Sequence, residues 1–189
     1  METYPNLVKS AALAQLALSN AGIDSIVIGG LAVAIWGEPR LTRDVDLKVL
    51  LRRDQAEQLV KALPRGFRCL ADQPEATLRR IGFLFVQDTA GIRVDFLMAD
   101  TGFDVEAVSR KRKVEMIAER IAVCTPEDLI VYKMVSTRPR DHDDVRGVIR
   151  RQQDRLDDDY VTSWLRQFEQ ALDDSTLVSS YRRMRNAEG

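Results

Sequence analysis

The segment "RDVDLKVL" sets Asp44 and Asp46 two positions apart in an alternating, β-rich run. Side chains alternate along a strand, so both carboxylates point to one face while Val45 and Leu47 point to the other. Two carboxylates held this close repel unless a proton or cation lies between them. A hard, oxygen-seeking Mg²⁺ resolves that conflict, commonly through one or two carboxylates plus substrate phosphates. Asp95, in "IRVDFL", offers a third carboxylate from a later strand. Three acids suit two metal ions about 4 Å apart, the arrangement used for in-line displacement at phosphorus. Upstream, Gly29 and Gly30 allow close approach of the backbone to a ligand, and the N–H groups opening the next helix suit phosphate oxygens. Singly these features are weak, because D-x-D is often a solvated strand face and paired glycines often just end strands. A glycine pair, thirteen residues, D-x-D and then a strand aspartate form a far more specific pattern.

The elements that must position these residues follow from pattern. Helical spacing runs from about Leu7 to Asn20 and stops at Gly22. "DSIVIGG" reads as a buried strand entering a tight turn, "LAVAIWG" as a short helix and "DVDLKVLL" as a strand. Asp54 is expected to cap a helix running to about Leu63. "GFLFVQD" and "IRVDFLM", separated by "TAG", predict a β-hairpin, and "RKVEMI" with "ERIAVC" a second strand pair turning near Ala118. At "TPEDLIVYKMVS" the texture becomes helical, with Thr125 as N-cap, Pro126 in the first turn and Glu127 and Asp128 favouring a helix start. "DDDYVTSWLRQFEQAL" supplies another amphipathic helix, and the tail "MRNAEG" is expected to fray. The expectation is an α+β fold with a small mixed or antiparallel sheet flanked by helices. A core over residues 1–123 is followed by a helical region over 124–189 that packs on it.

Taken together, Gly29, Gly30, Asp44, Asp46 and Asp95 resemble the signature of the polymerase-beta-type nucleotidyltransferase superfamily. The fuller string "GGLAVAIWGEPRLTRDVDL" is similar in particular to small bacterial nucleotidyltransferases related to AbiEii toxins, where an Arg-x-Thr element precedes the acidic pair as Arg40 and Thr42 do. "EDLIVYKMVSTRPRDHDDVRGVI" adds a second match, with Lys133, Arg140, Asp141 and Asp144 in the places of that branch's helix lysine and following Arg/Lys-Asp segment. The resemblance covers roughly residues 26–149. It implies a Mg²⁺-dependent nucleotidyltransferase with two metal ions. Asp44, Asp46 and Asp95 would be metal ligands and catalytic residues; Gly29, Gly30, Arg40, Thr42 and Lys133 would bind nucleotide, supported by Asp141 and Asp144. Many superfamily members carry serine at the second turn position, where this chain has Gly30. The resemblance also implies a nucleoside triphosphate donor, an RNA end or protein hydroxyl as acceptor, a toxin-like role and an antitoxin partner.

Composition narrows the field. With 28 basic and 29 acidic side chains the net charge is −1, so no global basic field marks a nucleic-acid coating protein. Cys69 and Cys124 form no CxxC and His142 is the only histidine, which disfavours a Cys/His zinc site. Two buried free thiols and a cytoplasmic protein are expected, since no apolar run approaches the roughly 20 residues of a membrane span. His142 reads as a surface residue in a charged turn, and Trp36 and Trp164 as core. "SRKRKVE" reads equally as a phosphate-gripping patch or a charge-defended strand edge. Two other functions fit the same residues: a catalytically inactive nucleotide-binding or interaction module, and a small-molecule (aminoglycoside-type) nucleotidyltransferase. A sugar-nucleotide glycosyltransferase would leave the glycine turn and "RVDFL" unexplained.

Overall fold

The computed structural model describes residues 3–188, which divide into two compact units. The first runs to Leu31 and resumes over Leu41–Cys124; the second comprises Ala32–Arg40 and the chain from Thr125 onward.

The first unit opens with α1 (Thr3–Asn20), β1 (Ser25–Ile28) and the start of α2 (Gly29–Trp36). It continues with β2 (Asp44–Val49), α3 (Ala56–Ala62), β3 (Arg68–Cys69), α4 (Pro74–Ile81) and β4 (Phe83–Gln87). It closes with β5 (Arg93–Met98), α5 (Gly102–Ser109), β6 (Arg112–Met116) and β7 (Glu119–Val123). All seven strands form one sheet in the order β3-β4-β5-β2-β1-β7-β6. The sheet is mixed: β2 runs antiparallel to β1 and parallel to β5, β4 antiparallel to both neighbours, and β7 parallel to β1. Alternation decides its two faces. Val45, Leu47, Val49, Val94, Phe96, Met98, Leu84 and Val86 are buried on one, where α1 packs along β1, β2 and β7 and α4 lies on β4. The opposite face carries Asp44 and Asp46, as the strand period requires.

Both expected strand pairs form. The β6–β7 turn holds Ile117 and Ala118 at φ 52° and 63°, the left-handed pair a two-residue hairpin needs. Asp54 is not a helix cap: it lies in a short 3₁₀ turn (Arg53–Gln55), its carboxylate is spent on Arg52 at 2.8 Å, and α3 starts later. The pattern did not announce β3, α4 or α5. Helix α5 is fixed by a reciprocal cap, Asp104 N donating to Thr101 Oγ1 while Asp104 Oδ2 accepts from Thr101 N. Cys124 is buried as expected, but Cys69, on short β3, is only half-buried; neither is in a disulfide.

The second unit contains α6 (Pro126–Met134), α7 (Pro139–Gln152), α8 (Asp158–Leu172) and α9 (Leu177–Glu188). Helix α6 packs on α7 and α8, and α9 on both of those. Thr125 caps α6 as expected: Asp128 N donates to its Oγ1, and Asp128 Oδ2 accepts from its N–H and hydroxyl. The segment "RPRDHDD" is not a solvated turn. Pro139, one of the few residues that gain from lacking an N–H in a first turn, starts α7 there, and Asp141 and Asp144 are buried one turn apart. His142 is thereby a half-buried helix residue. The tail through Glu188 is helical rather than frayed, because Tyr181 and Met184 are buried and Arg185 holds Asp158; Gly189 lies outside the described residues. Trp36 and Trp164 are half-buried, not full core residues. Among the described residues no helix is long and apolar enough to cross a membrane.

Candidate active site

The parallel register of β2 and β5 sets Asp44 beside Arg93 and Asp46 beside Asp95. Paired positions share a face, so all three acids expected from the sequence stand on one side of the sheet. Asp95 is the buried member, 6% exposed. Burial, helped by the like charge of Asp44, pushes its carboxyl above the ordinary range, while Arg93 pulls the other way.

Arg93 was not anticipated as part of the site. Its Nη2 donates to Asp44 Oδ2 at 2.6 Å and to Asp95 Oδ2 at 3.0 Å, so one guanidinium bridges two of the acids. Its Nε lies 2.9 Å from Asp95 Oδ1 as an ion pair without hydrogen-bond alignment, leaving that buried oxygen with an unused acceptor. Burial works against the Arg93 charge, but Asp95, Asp44 and Asp46 outweigh it and raise its pKa. The signal was present in "IRVDF", since a residue two before Asp95 must share its face.

The glycine turn packs against this acidic strand. Gly29 sits at φ +63°, and a Cβ there would stand 2.6 Å from Asp46 Cγ. A Cβ on Gly30 would stand 2.8 Å from Thr42 Cβ. Thr42 is buried, and its hydroxyl donates to Asp44 Oδ1 at 3.1 Å. The two glycines therefore make room for the side chains that carry and orient the acids, and they open α2 with its first N–H groups at that spot.

These residues suit a divalent ion by donor chemistry. Three hard oxygen donors share one face, one buried carboxylate oxygen keeps spare acceptor capacity, and a cation, Arg93, is already drawn between them. Among the described residues no three His, Cys, Asp or Glu side chains stand as a ready-made metal cage.

In the second unit Lys133, Arg40, Asp141 and Asp144 form an ion-pair network. Lys133 Nζ donates to Asp141 Oδ1 at 2.6 Å and pairs with Asp144 Oδ2 at 2.9 Å. Arg40 grips Asp144 through Nε at 2.6 Å and Nη2 at 2.8 Å, a two-point contact. Arg138 Nε donates to Asp141 Oδ2 at 2.7 Å. Burial alone would raise both carboxyls. For Asp141 the hydrogen bonds from Lys133, Ser136 and Arg138 win, for Asp144 those from Arg40 and Lys133, and both pKa values fall. Lys133 is buried within its network, not an exposed helix lysine.

The family model described as "Nucleotidyl transferase of unknown function (DUF2204)" matches residues 9–180. The chain belongs to this family of nucleotidyl transferases. No curated protein matches it by sequence. Three solved structures share its fold at low identity. An antigenic nucleotidyltransferase-like protein from Paracoccidioides brasiliensis is 15% identical, with TM-score 0.53 over 93% of this chain and 92% of that one. ANT(2")-Ia, in complex with adenylyl-2"-tobramycin, is 12% identical, with TM-score 0.54 over 94% and 98%. JHP933 from Helicobacter pylori is 14% identical, with TM-score 0.50 over 99% and 94%. The α+β fold with an open seven-stranded sheet is thus that of nucleotidyltransferases, as the acidic motif led us to expect.

Proposed function

We propose that the protein transfers a nucleoside monophosphate from a nucleoside triphosphate to an acceptor hydroxyl, with Mg²⁺ bound at Asp44, Asp46 and Asp95. The observation that carries this reading is the in-register pairing of Asp46 with the buried Asp95, with Asp44 on the same face. Bound there, the ions supply charge neutralisation and alignment of the phosphates. The backbone N–H groups of the glycine turn seat phosphate oxygens, and Thr42 holds Asp44 in position. Asp95, whose carboxylate burial makes more basic, would accept the proton of the acceptor hydroxyl. That oxygen forms its bond to the α-phosphorus as the bond to the β-phosphate oxygen breaks, and pyrophosphate leaves. The phosphate-binding role of Arg40 and Lys133 rests on their place in the sequence motif, with Asp141 and Asp144 holding the lysine in its orientation.

The resemblance of the "GGLAVAIWGEPRLTRDVDL" motif to AbiEii-related proteins is the support for a toxin-like role on RNA ends or protein hydroxyls, with an antitoxin partner and a cytoplasmic location. A small hydroxylated acceptor is the second reading, favoured by ANT(2")-Ia, a protein of this fold seen with adenylyl-2"-tobramycin. Incubation with each α-labelled nucleoside triphosphate, Mg²⁺ and cell RNA plus protein, beside an Asp46→Asn control, tests the proposal. Label is expected in a macromolecule with the unmutated protein alone. No transfer from any nucleotide sinks the macromolecular reading.

A further inference from the structure

Beside the acids, the same face of the sheet is apolar and open. In the β4–β5 register Phe85 stands opposite Asp95, and Leu70 extends the row because its N–H donates to the Phe85 carbonyl at 2.9 Å. Asp46, Asp95, Phe85 and Leu70 therefore form one line across four adjacent chain segments, about 5 Å per step. Phe83 shares the Phe85 face, with ring centroids 5.6 Å apart and planes tilted by 48°. Phe85 is 42% exposed, Leu70 46% and Phe83 37%.

Cationic donors flank these rings. Arg93 lies over the Phe85 ring, its guanidinium carbon 5.3 Å from the centroid, while its nitrogens hold Asp44 and Asp95. In the next row Arg68, exposed, donates to Gln87 Oε1 at 3.0 Å. Flat exposed rings with guanidinium groups at their margin are how proteins hold unstacked bases and the phosphates between them.

We infer that Phe85 and Phe83 form a stacking platform for the terminal base of a single-stranded RNA acceptor, with Arg68 meeting its phosphates. This rests on the transferase reading above, since it places the terminal hydroxyl one strand away, at Asp95. A ring-bearing end of single-stranded chain fits the platform; a duplex, whose bases are already stacked, does not.

The test is a binding titration of a short single-stranded oligoribonucleotide ending in 2-aminopurine, in Mg²⁺ without nucleoside triphosphate. It is run on the unmutated protein, Asp46→Asn, Phe85→Leu, Phe85→Tyr and Phe83→Leu. Binding with quenching of 2-aminopurine is expected for the unmutated protein and for Phe85→Tyr, which keeps the ring. Phe85→Leu is expected to weaken binding roughly tenfold or more and to lose the quenching, the scale of one lost stacked base. Unfolding curves verify that each variant is folded. Equal binding by Phe85→Leu and the unmutated protein, preference for the duplex, or preference for a hydroxyl-bearing peptide overturns the platform. Transfer to RNA with an unchanged KM in Phe85→Leu overturns it while leaving the transferase intact. Ring-dependent binding without transfer from any nucleotide retires the transferase and leaves an RNA-binding face.

Discussion

Asp46 occupies the space that a side chain on Gly29 would need. The Cβ of any other residue at 29 would approach Asp46 Cγ to 2.6 Å, in a backbone conformation of φ +63° that side chains rarely adopt. The glycine turn and the acidic strand are thus one packed unit, and the requirement for glycine comes from the protein itself before any phosphate arrives.

Gly29→Ala is therefore expected to abolish transfer by displacing Asp46. It should also lower stability by about 1–3 kcal/mol, the usual cost of overpacking, read by denaturant unfolding. Gly30→Ser introduces a hydroxyl at the turn, but its Cβ meets Thr42. It should destabilise alone and be relieved in a Thr42→Gly background, with a coupling of about 0.5–3 kcal/mol. Additive costs would show that Thr42 yields freely.

Arg93 pairs with Asp44 and Asp95, two of the carboxylates that the proposed metal ion would need. Arg93→Gln is expected to tighten Mn²⁺ binding about two- to fivefold, the size of a half-exposed ion pair. Calorimetric titration in the absence of nucleotide measures this directly. Weaker binding in the variant would mean that the arginine shapes the site instead of contesting it.

Lys133 neutralises two carboxylates that are each nearly inaccessible. Lys133→Met keeps the side-chain bulk but strands both charges, so a loss of about 3–5 kcal/mol is expected. Arg40 and Arg138 offset part of it, because each already holds one of the acids. A Lys133→Met protein as stable as the original would assign the network no structural weight.

Acid should loosen the same network. Asp141 and Asp144 have depressed pKa values in the fold, so their stabilisation is fully present above the unfolded value of 3.8 and fades as pH falls through the lower folded values. Between neutral pH and about pH 5 these two groups contribute no slope. In Asp141→Asn with Asp144→Asn the drop in stability below the ordinary carboxylate range should shrink, as measured by unfolding curves across pH.

How far the site was legible depended on what each residue's neighbours were. Strand period alone put Asp44 and Asp46 on one face, and the hairpin around "TAG" delivered Asp95. Arg93 and Phe85 follow from the same period, but their part in the site is set by the β2–β5 and β4–β5 registers that place them beside the acids. The Gly30–Thr42 contact joins residues separated by α2 and the loop after it, and no spacing rule reaches it. Helix α5 was not read from the pattern although Thr101 and Asp104 stand at a capping interval, and the hold of Asp104 on Lys48 at 2.8 Å belongs to tertiary structure. Asp54 resembled a cap because propensity says nothing about a competing arginine two residues away.

The parallel contact between β2 and β5 also sets an order of events in folding. The β4–β5 and β6–β7 pairs close over short turns and can form early, whereas β2 and β5 are distant in sequence and meet only when these pieces dock. Each local piece carries at most part of the acid cluster, so charge repulsion is deferred to that late docking step. Neutralising Asp46 or Asp95 should then quicken refolding more than it slows unfolding, making the reactive centre a kinetic toll on the chain's own assembly.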